Sequence, residues 1–184
     1  MTPRLAGDYD KGLTDASRSA LLELVTALGA YRDSLVLVGG WVPFFLIEEF
    51  GRGDDDFHHI GSIDIDLAVD GETVGDDGYA TIVSLVEDRG YAMKSARDGQ
   101  RVPGSFVKTL VSPVDGISYD IQVDFLTSTT HSSKTHRHTR VQPDLRARNT
   151  RGCELAFTHS MNKTIRGILP EGAASQDMGG KRDV

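Results

Sequence analysis

Apolar residues in this chain recur at two periods, near 3.6 and at 2, and the switches between them mark the elements. Leu21, Leu22, Val25 and Leu28 fall on one helical face, predicting a helix capped by Asp15 or Ser17 and stopped by Gly29. Residues 34–38 read as a short apolar strand ended by Gly39-Gly40, and residues 41–50 return to a helix with Pro43 in its tolerant first turn. A polar loop over 51–61 leads into a strand over 62–69 that alternates strictly from Ser62 to Leu67. A second helix is predicted from Asp76 or Asp77 to Arg89, with Tyr79, Ile82, Val83 and Val86 as its stripe and Gly90 as its end. Strands are then predicted at 91–95, 105–111, 118–126, 153–157 and 163–168, with a short one near 139–142. The expectation is an α+β fold, a mixed β-sheet flanked by helices. It forms one domain over residues 1–168, with 1–14 an aperiodic arm and the glycine-rich 169–184 a frayed tail.

The alternating strands carry the candidate chemistry. In residues 62–69, Ser62, Asp64 and Asp66 share one face and Ile63, Ile65 and Leu67 the other, so two carboxylates stand roughly 6 to 7 Å apart over an apolar floor. A later strand repeats the pattern: Asp120, Gln122 and Asp124 on one face, Tyr119, Ile121, Val123 and Phe125 on the other. If the two strands pair, Asp124 joins Asp64 and Asp66 around one cavity, an oxygen donor set suited to a hard divalent cation. Upstream, Gly39-Gly40 has no side chains to hold off a phosphate, and the helix after it offers unpaired N–H groups at Trp41 and Val42.

Composition narrows the setting. The formal net charge is −7, which argues against a generally basic nucleic-acid coat protein but leaves room for a local patch. Residues 127–151 are such a patch: Lys134, Arg137, Arg140, Arg146, Arg148 and Arg151 oppose a single acid, Asp144, and His131, His136 and His138 lie among them. The one cysteine, Cys153, excludes an intrachain disulfide framework and a multi-cysteine zinc site, and reads as core. With no apolar run long enough for a membrane span and no signal-peptide pattern at the N-terminus, a soluble, cytoplasmic protein without a membrane partner is expected.

Together, Gly39-Gly40, the helix after it, Asp64-Ile65-Asp66 and the later Asp124 resemble the hallmark of the DNA polymerase beta superfamily of nucleotidyltransferases. The closer similarity is to the AbiEii/AbiGii-type nucleotidyltransferase toxins of toxin–antitoxin and abortive-infection systems, which have a GGW-like turn and a Ser-x-Asp-x-Asp-Leu strand. The likeness covers residues 35–126 and, more loosely, 152–157; the Gly51 to Gly61 insert lengthens the usual interval. It implies transfer of an NMP from an NTP to an acceptor hydroxyl, on a tRNA end or a protein. Mg²⁺ or Mn²⁺ would be held by Asp64, Asp66 and Asp124, with Asp124 also available as general base. Gly39, Gly40, Ser62, Lys134 and Arg140 would serve the nucleotide, and a cognate antitoxin would be a partner. The family's helical C-terminal part has no counterpart before Val184, which leaves a catalytically incomplete module that binds nucleotide or an antitoxin as the alternative.

Other readings are weaker. Asp54, Asp55 and Asp56 with His58 and His59 read as a solvated loop, since consecutive residues do not converge on one ion. His131, His136 and His138 read as part of a basic loop rather than as zinc ligands, and Trp41 as packing under the glycine turn. A metal-dependent nuclease using the same carboxylates is a third possibility. No P-loop, GxGxxG or GxSxG motif is present, against the common NTPase, Rossmann and α/β-hydrolase functions.

Overall fold

A computed structural model describes residues 11–51, 61–75, 80–129 and 137–170. In chain order these form α1 (Lys11–Ala27), a 3-10 turn (Gly29–Ser34), β1 (Leu35–Val38), α2 (Trp41–Phe50), β2 (Asp64–Val69), α3 (Ile82–Glu87), β3 (Ala92–Ser95), β4 (Arg101–Val111), β5 (Ser118–Ser128), β6 (His138–Arg140), β7 (Arg146–Thr150) and α4 (Glu154–Thr158). The fold is α+β, with one mixed seven-stranded sheet in the order β1-β2-β5-β4-β3. β1 and β2 are antiparallel, β2 and β5 parallel, and β5, β4 and β3 successively antiparallel.

β5 is the central strand. One edge pairs with β2; the other pairs with β4 up to Asp124 and then, from Leu126 onward, with β7, which carries β6. Gly104 makes that handover work. Its φ is +73°, and a Cβ there would stand 2.6 Å from the Arg146 carbonyl oxygen and 3.3 Å from that of Phe125, so only glycine lets β4 pass so close to β7.

The alternation of the strands separates two faces. Ile65 and Leu67 of β2 and Ile121, Val123 and Phe125 of β5 point into the main core, where they meet Ala16, Ala20, Leu21 and Leu24 of α1 and Ile82 and Val86 of α3. Trp41 and Phe45 of α2 close one end of it; the indole is fully buried, stacks on Phe45 and donates to Ser17 Oγ at 3.3 Å. The opposite face carries the acids and a small apolar cluster of Ala68, Leu126 and Cys153, with Ala156 and Phe157 packed against it.

Several local expectations need correction. α1 begins at Lys11, so Asp15 and Ser17 are inside the helix, and Ser17 donates to the Ile63 carbonyl at 3.2 Å instead of capping. α3 starts at Ile82, where Thr81 Oγ1 accepts from Ser84 N at 3.2 Å; Asp76, Asp77 and Tyr79 lie outside the described residues. The predicted strand at 153–157 is α4, consistent with the helix-favouring Glu154, Leu155 and Ala156. Residues 163–168 form no strand beyond an isolated bridge at Thr164. Side chains of α1 bond backbone carbonyls there: Ser19 Oγ to Ile168 O at 2.6 Å and Arg18 Nε to Arg166 O at 3.2 Å. β6 spans His138–Arg140 rather than 139–142, and β7 had no predicted counterpart.

One ion pair ties α1 to the sheet through the core. Lys108 of β4 donates to both carboxylate oxygens of Glu23, at 2.9 and 2.8 Å, with the Glu23 side chain only 3% exposed. The same ammonium lies 5.1 Å from the centroid of the Tyr91 ring, whose hydroxyl is pushed far above its usual pKa by burial and by Glu23. Lys108→Met leaves a buried carboxylate without its cation and should cost about 3–5 kcal/mol in urea unfolding, whereas Glu23→Leu with Lys108→Met should recover most of that loss. Equal losses in the single and double variants would contradict this.

Candidate active site

The site begins where β1 ends. Val38 is the register partner of Asp66, and the chain then turns through Gly39 at φ +74° into Gly40, the N-cap of α2. A Cβ on Gly39 would stand 2.3 Å from Asp66 Oδ2, and one on Gly40 would stand 2.7 Å from Ser62 Oγ. The missing side chains therefore seat the turn's backbone directly against a carboxylate and a hydroxyl of the acidic segment. Gly40 also offers no side chain to take up the first N–H groups of α2.

β2 and β5 pair as expected, and in register. Asp66 stands opposite Asp124 and Asp64 opposite Gln122, so the three aspartates share one face. Their proximity is written in their titration. Asp64 and Asp66 are both pushed above the ordinary carboxylate value of 3.8, first by partial loss of hydration and next by the charge of Asp124. Lys94 and Arg148 pull the other way, the first on Asp64 and the second on Asp66.

Four residues not singled out from the sequence complete the arrangement. Ser105 Oγ donates to Asp124 Oδ1, and Gln122 Nε2 donates to Oδ2 at 3.0 Å. Lys94 Nζ donates to Gln122 Oε1, and Arg148 Nη2 stands 3.9 Å from Asp124 Oδ2. Gln122 was visible in the alternation of β5. Arg148 lay in the basic stretch, but only the β5–β7 register, Leu126 opposite Arg148, separates it from its basic neighbours. Lys94 reaches the site from β3, two strands away, which nothing local to it announces.

Gly39, Gly40, Ser62, Asp64, Asp66 and Asp124 are thus brought together. Arg140 is not: it sits on β6 opposite Arg146, and its Nε donates to the Gln142 carbonyl at 3.3 Å. Lys134, His131, His136, Asp54, Asp55, Asp56, His58 and His59 lie outside the described residues. His138 is opposite Arg148 and its pKa is lowered, by burial and then by Arg146, Arg137 and Arg148, an environment unsuited to a cation. Cys153 is buried, as expected, but in the turn before α4.

The oxygens of Asp64 and Asp66 are of the hard kind that Mg²⁺ takes, and that ion commonly uses one or two carboxylates with waters and phosphate oxygens. Among the described residues, however, no three Asp, Glu, His or Cys side chains are gathered closely enough to hold an ion by themselves. The residues fit such an ion in kind, with Asp124 held by Ser105 and Gln122 rather than by a cage.

An open groove of about 1310 Å³ runs between β1, α2 and residues 156–166. It shares Gly39 with the site but includes none of the three aspartates, and several of its charges pair with one another, Arg18 with Glu48 and Lys163 with Glu48 and Glu49. Among the described residues no helix is long and apolar enough to cross a membrane. No family model, curated protein or solved structure matches the chain.

Two outcomes follow from this geometry. Because the folded-state pKa values of Asp64 and Asp66 are raised, their contribution to stability is fully present below their unfolded values and is lost as pH rises through the folded ones. Asp66→Asn should therefore melt at a higher temperature than the parent at pH 7, with the gain shrinking as pH falls towards 4; no gain at pH 7 would contradict the assignment. Gly39→Ala places a methyl group on the Asp66 carboxylate in a backbone conformation that alanine resists. It should lower stability by about 1–3 kcal/mol in urea unfolding, while Gly29→Ala, which meets nothing within 4 Å, should leave it near the parent value.

Proposed function

We propose that the chain is a metal-dependent nucleotidyltransferase that moves an NMP from an NTP to an acceptor hydroxyl. The observation that carries this reading is the seating of the Gly39-Gly40 turn against Asp66 and Ser62, with Asp124 of β5 in register with Asp66. A tight glycine turn has no structural need of acids beneath it, and like charges are not gathered on one face for stability. The turn can take phosphate oxygens on its backbone N–H groups, assisted by the Ser62 hydroxyl. Asp64 and Asp66 would hold Mg²⁺ or Mn²⁺, which when bound would neutralise phosphate charge and make the attacking hydroxyl more acidic.

In this reading the acceptor oxygen forms its bond to the α-phosphorus in line with the departing pyrophosphate, and the acceptor's proton goes to a nearby base. Asp124 is suited to that role because Ser105 and Gln122 fix both of its oxygens. Arg148 would supply charge for the phosphates, a role for which Arg140 is not placed. Among acceptors, an RNA end is favoured over a protein by the β6–β7 hairpin. Leu126 opposes Arg148 and Arg140 opposes Arg146, which puts Arg140, Arg146 and Arg148 on the face that carries Asp124.

That Ser105 and Gln122 engage both Asp124 oxygens, and that no three ligating side chains gather among the described residues, favours the second reading, a nucleotide-binding module without transfer. Labelled NTPs incubated with Mg²⁺ and total RNA or protein separate the two. Label should move to RNA and fall by about 10³-fold or more in Asp66→Asn. A nucleotide-dependent rise in melting temperature with no label transferred would support the module instead, and shortened RNA would support a nuclease.

A further inference from the structure

The acids of this site are flanked by two cations that the sequence does not place there. Arg148 approaches from β7 to 3.9 Å from Asp124 Oδ2. Lys94 approaches from β3 and is connected to the same carboxylate through Gln122, which accepts from the ammonium with its oxygen and donates to Asp124 with its nitrogen. Both come from the edge of β5 that faces away from β2, where β7 takes over from β4 with β3 behind it. Neither is built into the core: the Arg148 side chain is 53% exposed, and Lys94 is half-buried at the sheet surface. Both have long side chains able to turn to a new anion without backbone movement.

We propose that Arg148 and Lys94 are resident counter-cations, which neutralise the acid cluster while no divalent ion is bound and transfer to the triphosphate once one is. This deepens the nucleotidyltransferase reading and rests on it. Three carboxylates on one sheet face repel each other, and a guanidinium and an ammonium offset that repulsion in the ion-free protein. An incoming divalent cation must compete with them, so the ion alone binds weakly. When ion and triphosphate arrive together, the phosphate oxygens give the displaced side chains a partner of higher negative charge, with which arginine can make paired hydrogen bonds. The exchange thereby couples uptake of the ion to presence of the nucleotide, and keeps the site from filling with ions that bring no substrate.

The test uses Mn²⁺ alone, followed by inorganic tripolyphosphate, which carries the phosphate chain of any NTP without a base. Mn²⁺ binding is measured by electron paramagnetic resonance in the parent chain, Asp66→Asn, Arg148→Gln, Lys94→Met and a charge control, Arg151→Gln, whose residue lies in the turn after β7. Arg148→Gln and Lys94→Met should bind Mn²⁺ alone about three- to tenfold more tightly than the parent. The Mn²⁺-loaded variants should bind tripolyphosphate about tenfold or more weakly by calorimetry, while Arg151→Gln stays within twofold of the parent in both. Unchanged or weaker Mn²⁺ binding in Arg148→Gln and Lys94→Met overturns the exchange, as does an equal gain in Arg151→Gln, which would mark a general field effect. If the parent binds no Mn²⁺ that Asp66→Asn removes, the nucleotidyltransferase reading falls as well, an outcome distinct from loss of the exchange alone.

Discussion

The parallel pairing of β2 with β5 is the constraint on which the rest depends. Its register is set by the apolar side: Ile65 and Leu67 on one strand and Val123 and Phe125 on the other must all face α1 and α3. Once that is satisfied, the pleat leaves no choice for the residues between them, and Asp66 is carried to a position opposite Asp124. The hydrophobic face thus supplies the free energy that holds like charges together on the polar face. A slip of one residue would put carboxylates in the core, which is why this placement is firm even though the acids themselves oppose it.

The opposition is managed by neighbours rather than by separation. Ser105 and Gln122 bond to Asp124, Arg148 approaches it, and Lys94 reaches it through Gln122. These groups come from β3, β4, β5 and β7, so the site is a property of the whole sheet. Gly104 is the least conspicuous contributor: without its positive φ and missing Cβ, β7 would not lie against β5 and Arg148 would not stand where it does. The raised pKa values of Asp64 and Asp66 are the residue of repulsion and lost hydration that this arrangement does not remove.

Much of this was legible in the chain because period-2 alternation is a strong signal. Spacing puts Asp64 with Asp66 on one face of its strand and Asp124 on the polar face of another, leaving only the pairing of the two strands to the structure, and Gly39-Gly40 and Gly51 bound α2. The failures have physical causes. β7, with sequence Arg-Ala-Arg-Asn-Thr, buries only Ala147 fully on its inner face, so a half-buried strand with one cationic side reads as a polar loop. The stretch 153–157 contains too few residues to distinguish a strand from one turn of helix, and its apolar side chains, Ala156 and Phe157, pack on the small second cluster. Lys94 and Ser105 belong to the site only through tertiary pairing, which a local pattern does not carry. Arg140 and Arg148 are equivalent in sequence, and strand register separates them.

In the proposed reading the glycine turn and the acids beneath it form one triphosphate site. A crystal structure of the chain with a non-hydrolysable NTP and Mn²⁺, read through the anomalous signal of the metal, tests it most directly. The account predicts a manganese peak beside Asp64 and Asp66, with the triphosphate on the backbone of Gly39 and Gly40 and Arg148 turned towards it. Nucleotide lodged instead in the groove between α2 and residues 156–166, with no manganese at the aspartates, would contradict it.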